Sequence, residues 1–130
     1  MSLPIACVMI AWLLLYLPRL AVGAAQARQP GGYDNRNPRA QQARLEGWGA
    51  RAKAAEFNGH EAFAAYAAAV ILCLVRGVEG PALVVPCVAF LVLRTVYVGV
   101  YLADVHLARS LVWTGGMLSI GALYLAAIRG

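Results

Sequence analysis

The sequence predicts an all-α integral membrane protein, a four-helix bundle of up-down topology. Composition is the first observation: of 130 residues, 62% are hydrophobic and only 13% charged, with a mean hydropathy of +0.66. A soluble domain carries roughly a quarter charged residues, so this chain has too few charges to cover a water-facing surface. Second, charge-poor stretches recur four times at lengths near the ~20 apolar residues that cross a hydrocarbon core. Third, the turn-forming residues fall between those stretches. The balance of 11 Lys and Arg against 6 Asp and Glu does not mark a nucleic-acid binder, because such a domain spreads its basic residues over a polar chain. A single domain over residues 1–130 is expected, with membrane lipid and no nucleic acid as partner.

The first span is expected over residues 3–25, where the only charge is Arg19. A secretory signal peptide is the competing reading, with Ile5 to Leu17 as its apolar region. No basic residue precedes that region and the rest of the chain is itself membranous, so a retained span is expected. Residues 26–47 form the one segment of soluble character, rich in turn formers such as Pro30-Gly31-Gly32 and Asn37-Pro38. At about 20 residues it exceeds the usual helix–helix connection, which points to a role of its own.

The second span is expected over residues 48–76. Ala62 to Val75 is uncharged but too short to cross alone, so the helix recruits the polar stretch from Trp48 to Glu61 and projects out of the bilayer. Its many alanines favour a long helix and provide small-residue faces for close packing in lipid. A third span, 81–103, is interrupted by Arg94, and a fourth, 110–128, is uncharged. The breaks fall at Gly77-Val78-Glu79-Gly80-Pro81 and around Asp104-Val105-His106, and short connections between antiparallel helices give an up-down bundle. Cys7, Cys73 and Cys87 stand isolated in apolar stretches. They read as small buried hydrophobes, implying neither a disulfide framework nor a metal site.

Arg28, Arg36, Arg39, Arg44, Arg51 and Lys53 cluster in the first loop and the polar start of the second helix, and Arg109 lies in the third loop. Only Arg76 and Arg129 mark the opposite side. The positive-inside rule then puts the first and third loops in the cytoplasm and both termini on the other side.

Ionisable residues inside a membrane helix are costly and mark functional sites. Arg44, Arg51 and Asn58 recur every seven residues, with Glu61 three further on, which places them near one helical stripe. Lys53, Glu56 and His60 are read as occupying neighbouring faces. On the third helix Arg94, Tyr97 and Tyr101 stand at i, i+3 and i+7, again one face. Arg109, at the start of the fourth helix, is electrostatically misplaced, since a helix N-terminus favours anions. Guanidinium forks bind carboxylates bidentately and a carboxylate accepts from an ammonium, so arginine, asparagine and glutamate together suit a zwitterionic peptide-like anion. A further arginine near a sulfur favours its thiolate. The set fits a polar thiol attacking an electrophile that arrives from the bilayer. Blander roles fit some members: a solvated helix end for Lys53 and Glu56, aromatic-belt anchors for Tyr97 and Tyr101, and a structural ion pair for Glu61 and Arg94.

The run from Arg51 through Asn58 and Glu61 to Phe63, followed by an alanine-rich span, resembles the second-helix signature of the MAPEG family, the membrane-associated proteins in eicosanoid and glutathione metabolism. Arg94-Thr-Val-Tyr97-Val-Gly-Val-Tyr101, then Arg109-Ser-Leu-Val-Trp113, resembles the third- and fourth-helix pattern, particularly of bacterial members. The resemblance implies a homotrimer that binds glutathione as co-substrate between adjacent subunits near the cytoplasmic side. Its enzymes conjugate glutathione to lipophilic electrophiles or reduce lipid hydroperoxides. Carried onto this chain, it implies Arg51, Lys53, Asn58, Glu61, Arg94 and Tyr97 as glutathione-binding, and Arg109 with Tyr101 as catalytic. Active animal members have arginine four residues before the asparagine, where this chain has Ala54. Two functions remain open: a glutathione transferase or peroxidase acting on hydrophobic small molecules, and a non-catalytic membrane protein binding a lipid-like ligand or partner.

Overall fold

The computed structural model describes residues 2–130. Six helices follow in order: α1 (Leu3–Leu14), α2 (Tyr16–Ala27), α3 (Pro38–Ala43), α4 (Gly47–Val75), α5 (Pro81–Leu102) and α6 (His106–Arg129). Four stretches are long and apolar enough to cross a membrane: Leu3–Ala27, which joins α1 to α2, then α4, α5 and α6. The chain is an integral membrane protein with the all-helical bundle expected of it. The break at Leu15 follows from Pro18, which offers no N–H to the Leu14 carbonyl and crowds it with its ring. The Leu15 amide bonds instead to the Trp12 carbonyl at 3.2 Å, tightening the turn.

Two helix ends set the connections. After α4, Gly77 takes a φ of +70°, its amide donates to Leu74 O at 3.1 Å, and the Val78 amide donates to Cys73 O at 2.9 Å. This is the Schellman arrangement that satisfies the last free carbonyls of a helix. After α5 the same arrangement recurs: Asp104 N to Tyr101 O at 3.2 Å and Val105 N to Val100 O at 3.0 Å. There the left-handed position is filled by Asp104, at φ +63°, the only non-glycine with positive φ among the described residues.

α4 is the central element, packed against α1, α2, α5 and α6. Its buried face, with Ala62, Tyr66, Ala69, Val70 and Cys73, meets Cys7 and Ala11 of α1, Cys87 and Phe90 of α5, and Leu123 and Ala127 of α6. In lipid there is no gain from removing apolar surface from water, so close contact and interhelical hydrogen bonds hold such a core. Both are present. The Tyr66 and Phe90 rings stack at 4.0 Å between centroids, Tyr66 donates its hydroxyl to Cys87 O at 3.4 Å, the Cys73 thiol donates to Leu123 O at 3.1 Å, and Tyr124 donates to Ala65 O at 3.3 Å. All three cysteines are buried packing residues.

The first loop is ordered by amides. Gln26 is fully buried and Gln41 and Gln42 nearly so. Gln26 donates to Pro38 O at 3.1 Å and to Gln41 Oε1 at 3.0 Å. Gln41 donates to Gly32 O at 2.7 Å and to Gln26 O at 3.2 Å, and Gln42 donates to Gln26 Oε1 at 3.3 Å. A second small core of Val22, Ala25, Leu45 and Ala52, with Leu102 packed on it, places this loop at the same end as the α5–α6 turn. At the far end Gly130 lies against Val78 and the Arg76 carbonyl. The many basic residues of the loop and the few at the α4–α5 turn therefore occupy opposite ends.

Candidate functional site

The site is a ladder of side chains across α4, α5 and the start of α6. Arg94 is only 7% exposed. It donates from Nη1 to Asn58 Oδ1 at 3.0 Å and lies over the Tyr97 ring at 4.4 Å. Tyr97 meets Tyr101 edge to face at 5.4 Å, and the Arg109 guanidinium lies over Tyr101 at 4.7 Å. The i, i+3, i+7 spacing on α5 stacks these rungs on one face, and the tight α5–α6 turn folds Arg109 back over the last of them. Backbone room is needed too: a side chain at Gly59 would begin 3.3 Å from Leu15 Cδ2 and 3.8 Å from Arg94 Nη2.

Glu61 is exposed, and among the described residues it makes no ion pair. Five of the expected residues, Asn58, Arg94, Tyr97, Tyr101 and Arg109, thus meet in the ladder, and Glu61 stands three residues beyond Asn58 on α4, one turn along the same side. The other two are engaged elsewhere. Arg51 donates from Nε to Leu102 O at 3.3 Å and sits 3.6 Å from Asp104 with its Nη1. Lys53 lies across α4, lining a groove of about 810 Å³ with Arg39, Glu56, Phe57 and His60.

Two expectations need correction here. Arg44 caps the end of α3 and lies outside α4, so it does not continue the stripe of Arg51 and Asn58. Lys53, Glu56 and His60 do not neighbour the Asn58 stripe; at about 100° per residue, Lys53 falls some 140° away from Asn58. Glu56 accordingly pairs with Arg19 of α2 at 3.6 Å, away from the ladder. Sequence reasoning also missed the buried glutamines, because polar residues in a polar loop carry no mark of burial. The Leu102 carbonyl was equally invisible, since any helix C-terminus leaves carbonyls free.

Two guanidiniums, a free carboxylate, a carboxamide and two phenols at one end of an oily bundle can bind an anion bearing both carboxylates and an ammonium. They can also stabilise negative charge on an atom held beside Arg109. No curated protein and no solved structure matches the chain. The model of the MAPEG family matches residues 3–129, nearly the whole chain. Four membrane-length helices carrying that family's pattern from end to end leave one assignment: the chain belongs to the MAPEG family, which includes glutathione transferases and related membrane proteins.

Proposed function

We propose that this protein is a membrane-bound glutathione transferase or peroxidase that acts on lipophilic electrophiles. The observation that carries the reading is the ladder, in which buried Arg94, fixed by Asn58, and Arg109 flank two tyrosines beside unpaired Glu61. A guanidinium buried in a membrane helix, as Arg94 is, is costly unless a ligand or partner compensates it. Glutathione fits this donor set, with a carboxylate for Arg94, an ammonium for Glu61 and a thiolate for Arg109.

Glutathione, when bound, supplies a thiol whose anion is the nucleophile. Arg94, with one side of its fork committed to Asn58, presents the remaining N–H groups to a carboxylate in a fixed direction. Glu61 accepts from the ammonium. Arg109 and the Tyr101 hydroxyl stabilise the thiolate, favouring loss of the thiol proton to solvent. The thiolate sulfur then bonds to the electrophilic carbon, and the electron pair of the broken bond departs with the leaving group. The apolar faces of the helices admit the electrophile from lipid. The site lies at the cytoplasmic side with both termini away from it, as the charge distribution favours. The protein is a homotrimer in which the exposed face bearing Glu61 meets a neighbouring subunit.

The test is the ultraviolet thiolate absorbance of glutathione added to detergent-purified protein. Wild type is expected to generate the signal and Arg109→Ala to lose it, with turnover of a chlorodinitrobenzene electrophile falling about 10²-fold. No signal in wild type overturns the transferase reading in favour of a non-catalytic binder. Equal signals in both keep the enzyme and remove Arg109 from the role.

A further inference from the structure

We propose that Arg51 and Asp104 are positioning residues that lock the α5–α6 turn to α4 and thereby place Arg109 over the site. The inference rests on the glutathione reading for its catalytic consequence, but on the turn's own geometry for its existence. Arg51 reaches the turn twice: Nε donates to Leu102 O at 3.3 Å, and Nη1 lies 3.6 Å from Asp104 Oδ2. One side chain of α4 thus holds both the last helical residue of α5 and the residue that reverses the chain.

Asp104 itself is the second observation. It holds the left-handed position of a Schellman turn, where glycine is the usual occupant because a Cβ is disfavoured there. The chain provides its own comparison: the α4 terminus closes through the same two hydrogen bonds with Gly77 in the equivalent place. An aspartate at the α5 terminus is therefore unnecessary for the turn. What it adds is a carboxylate facing Arg51.

The third observation is where the turn leads. Tyr101 precedes Asp104 by three residues and Arg109 follows by five, and these two side chains stack across the turn at 4.7 Å. The Arg109 amide donates to Val105 O at 2.9 Å, opening α6. A turn free to rock against α4 carries Arg109 with it, and moves it relative to Asn58, Glu61 and Arg94. Asp104 is well exposed and Arg51 partly so, and ion pairs in such settings contribute little to stability. The effect belongs to geometry.

The experiment compares wild type with Arg51→Ala, Arg51→Lys, Asp104→Asn and Asp104→Gly, as full-length protein in detergent. It measures hydrogen exchange across residues 103–109 together with kcat and the KM for glutathione. Arg51→Ala and Asp104→Asn are expected to speed exchange and to lower kcat about tenfold, since small misplacements of a catalytic group are costly, while the KM stays within about twofold. Arg51→Lys, which keeps the charge but not the fork, is expected to recover part of kcat. Asp104→Gly is expected to keep the fold, as Gly77 does, and to lose as much kcat as Asp104→Asn. Unchanged exchange in Arg51→Ala and Asp104→Asn overturns the proposal. So does an Arg51→Ala variant with a raised KM and intact kcat, which makes Arg51 a contact to glutathione. If wild type forms no thiolate, the glutathione reading falls, and the exchange result alone decides the clamp.

Discussion

Arg94 is the residue on which the candidate site turns. Its spacing from Tyr97 and Tyr101 puts three polar side chains on one face of α5, and that alone was visible in the sequence. Its partner was not: Asn58 is 36 positions away, and only the packing of α5 on α4 brings the amide oxygen to the guanidinium. Removing that oxygen leaves a buried charged donor unpaired, which costs about 1–3 kcal/mol. Asn58→Ala is therefore expected to lower the thermal midpoint in detergent and to raise the KM for glutathione about tenfold, as Arg94 loses its fixed direction. Asn58→Asp, which retains an acceptor, is expected to keep the stability but to weaken glutathione binding by placing a negative charge beside its carboxylates. Equal KM values in wild type and both variants would remove Asn58 from the site. Arg51 shows the opposite lesson. Heptad spacing sets it on the Asn58 stripe, but a long side chain near a helix end is also free to reach a neighbouring turn, as Arg51 does to Leu102 O and Asp104.

Among the elements, α4 does most to organise the fold, and its approach to α2 depends on a single glycine. A Cβ at Gly49 would stand 2.9 Å from Ala25 Cβ and 3.3 Å from Leu45 Cδ2. Ala25 Cβ is fixed to backbone, so the helices must part. Alanine gains up to about 1 kcal/mol of helix propensity over glycine, while overpacking costs about 1–3 kcal/mol. Overpacking wins, and Gly49→Ala is expected to lower the midpoint of thermal unfolding. Gly23, which has nothing within 4 Å of the same position, is the control: Gly23→Ala is expected to raise it. A lowered midpoint in both variants would show that the close contact is not what distinguishes Gly49. The spans themselves were legible because length and charge avoidance suffice to mark a membrane helix. The ordering of the first loop was not. Three glutamines satisfy one another and four carbonyl or amide groups of the loop only after α2 and α3 have met.

At the scale of the whole molecule, large apolar side chains face outward around the bundle, among them Leu20, Val75, Leu111, Leu118 and Ile128. Water would make such a surface an aggregation site; a bilayer makes it the natural exterior. The charges gather at the two ends, with Arg28 lying over the Trp48 ring at 5.2 Å where the first loop returns to α4. The positive-inside rule then predicts sidedness. A cysteine introduced at Asn35 in the first loop is expected to react with a membrane-impermeant maleimide only from the cytoplasmic side. One at Glu79, in the α4–α5 turn, is expected to react only from the other. The three native cysteines are buried and give little background. Reaction at Asn35 from the outside would invert the topology and place the ladder at the outer face.

The number of spans, their helical character and the identity of the costly charges follow from the chain alone, because lipid penalises an unsatisfied backbone or a stray charge whatever the neighbours are. Which charges meet is a different matter. Asn58 with Arg94, Arg51 with the α5–α6 turn, and Lys53 on the far side of α4 depend on helix rotation, on how far each side chain reaches and on the two Schellman turns. Those are set by small-residue contacts such as Gly49 on Ala25, which no periodicity encodes. The tertiary structure thus divided one list of polar residues into a ladder across α4, α5 and α6, an arginine held to the α5–α6 turn and a separate groove.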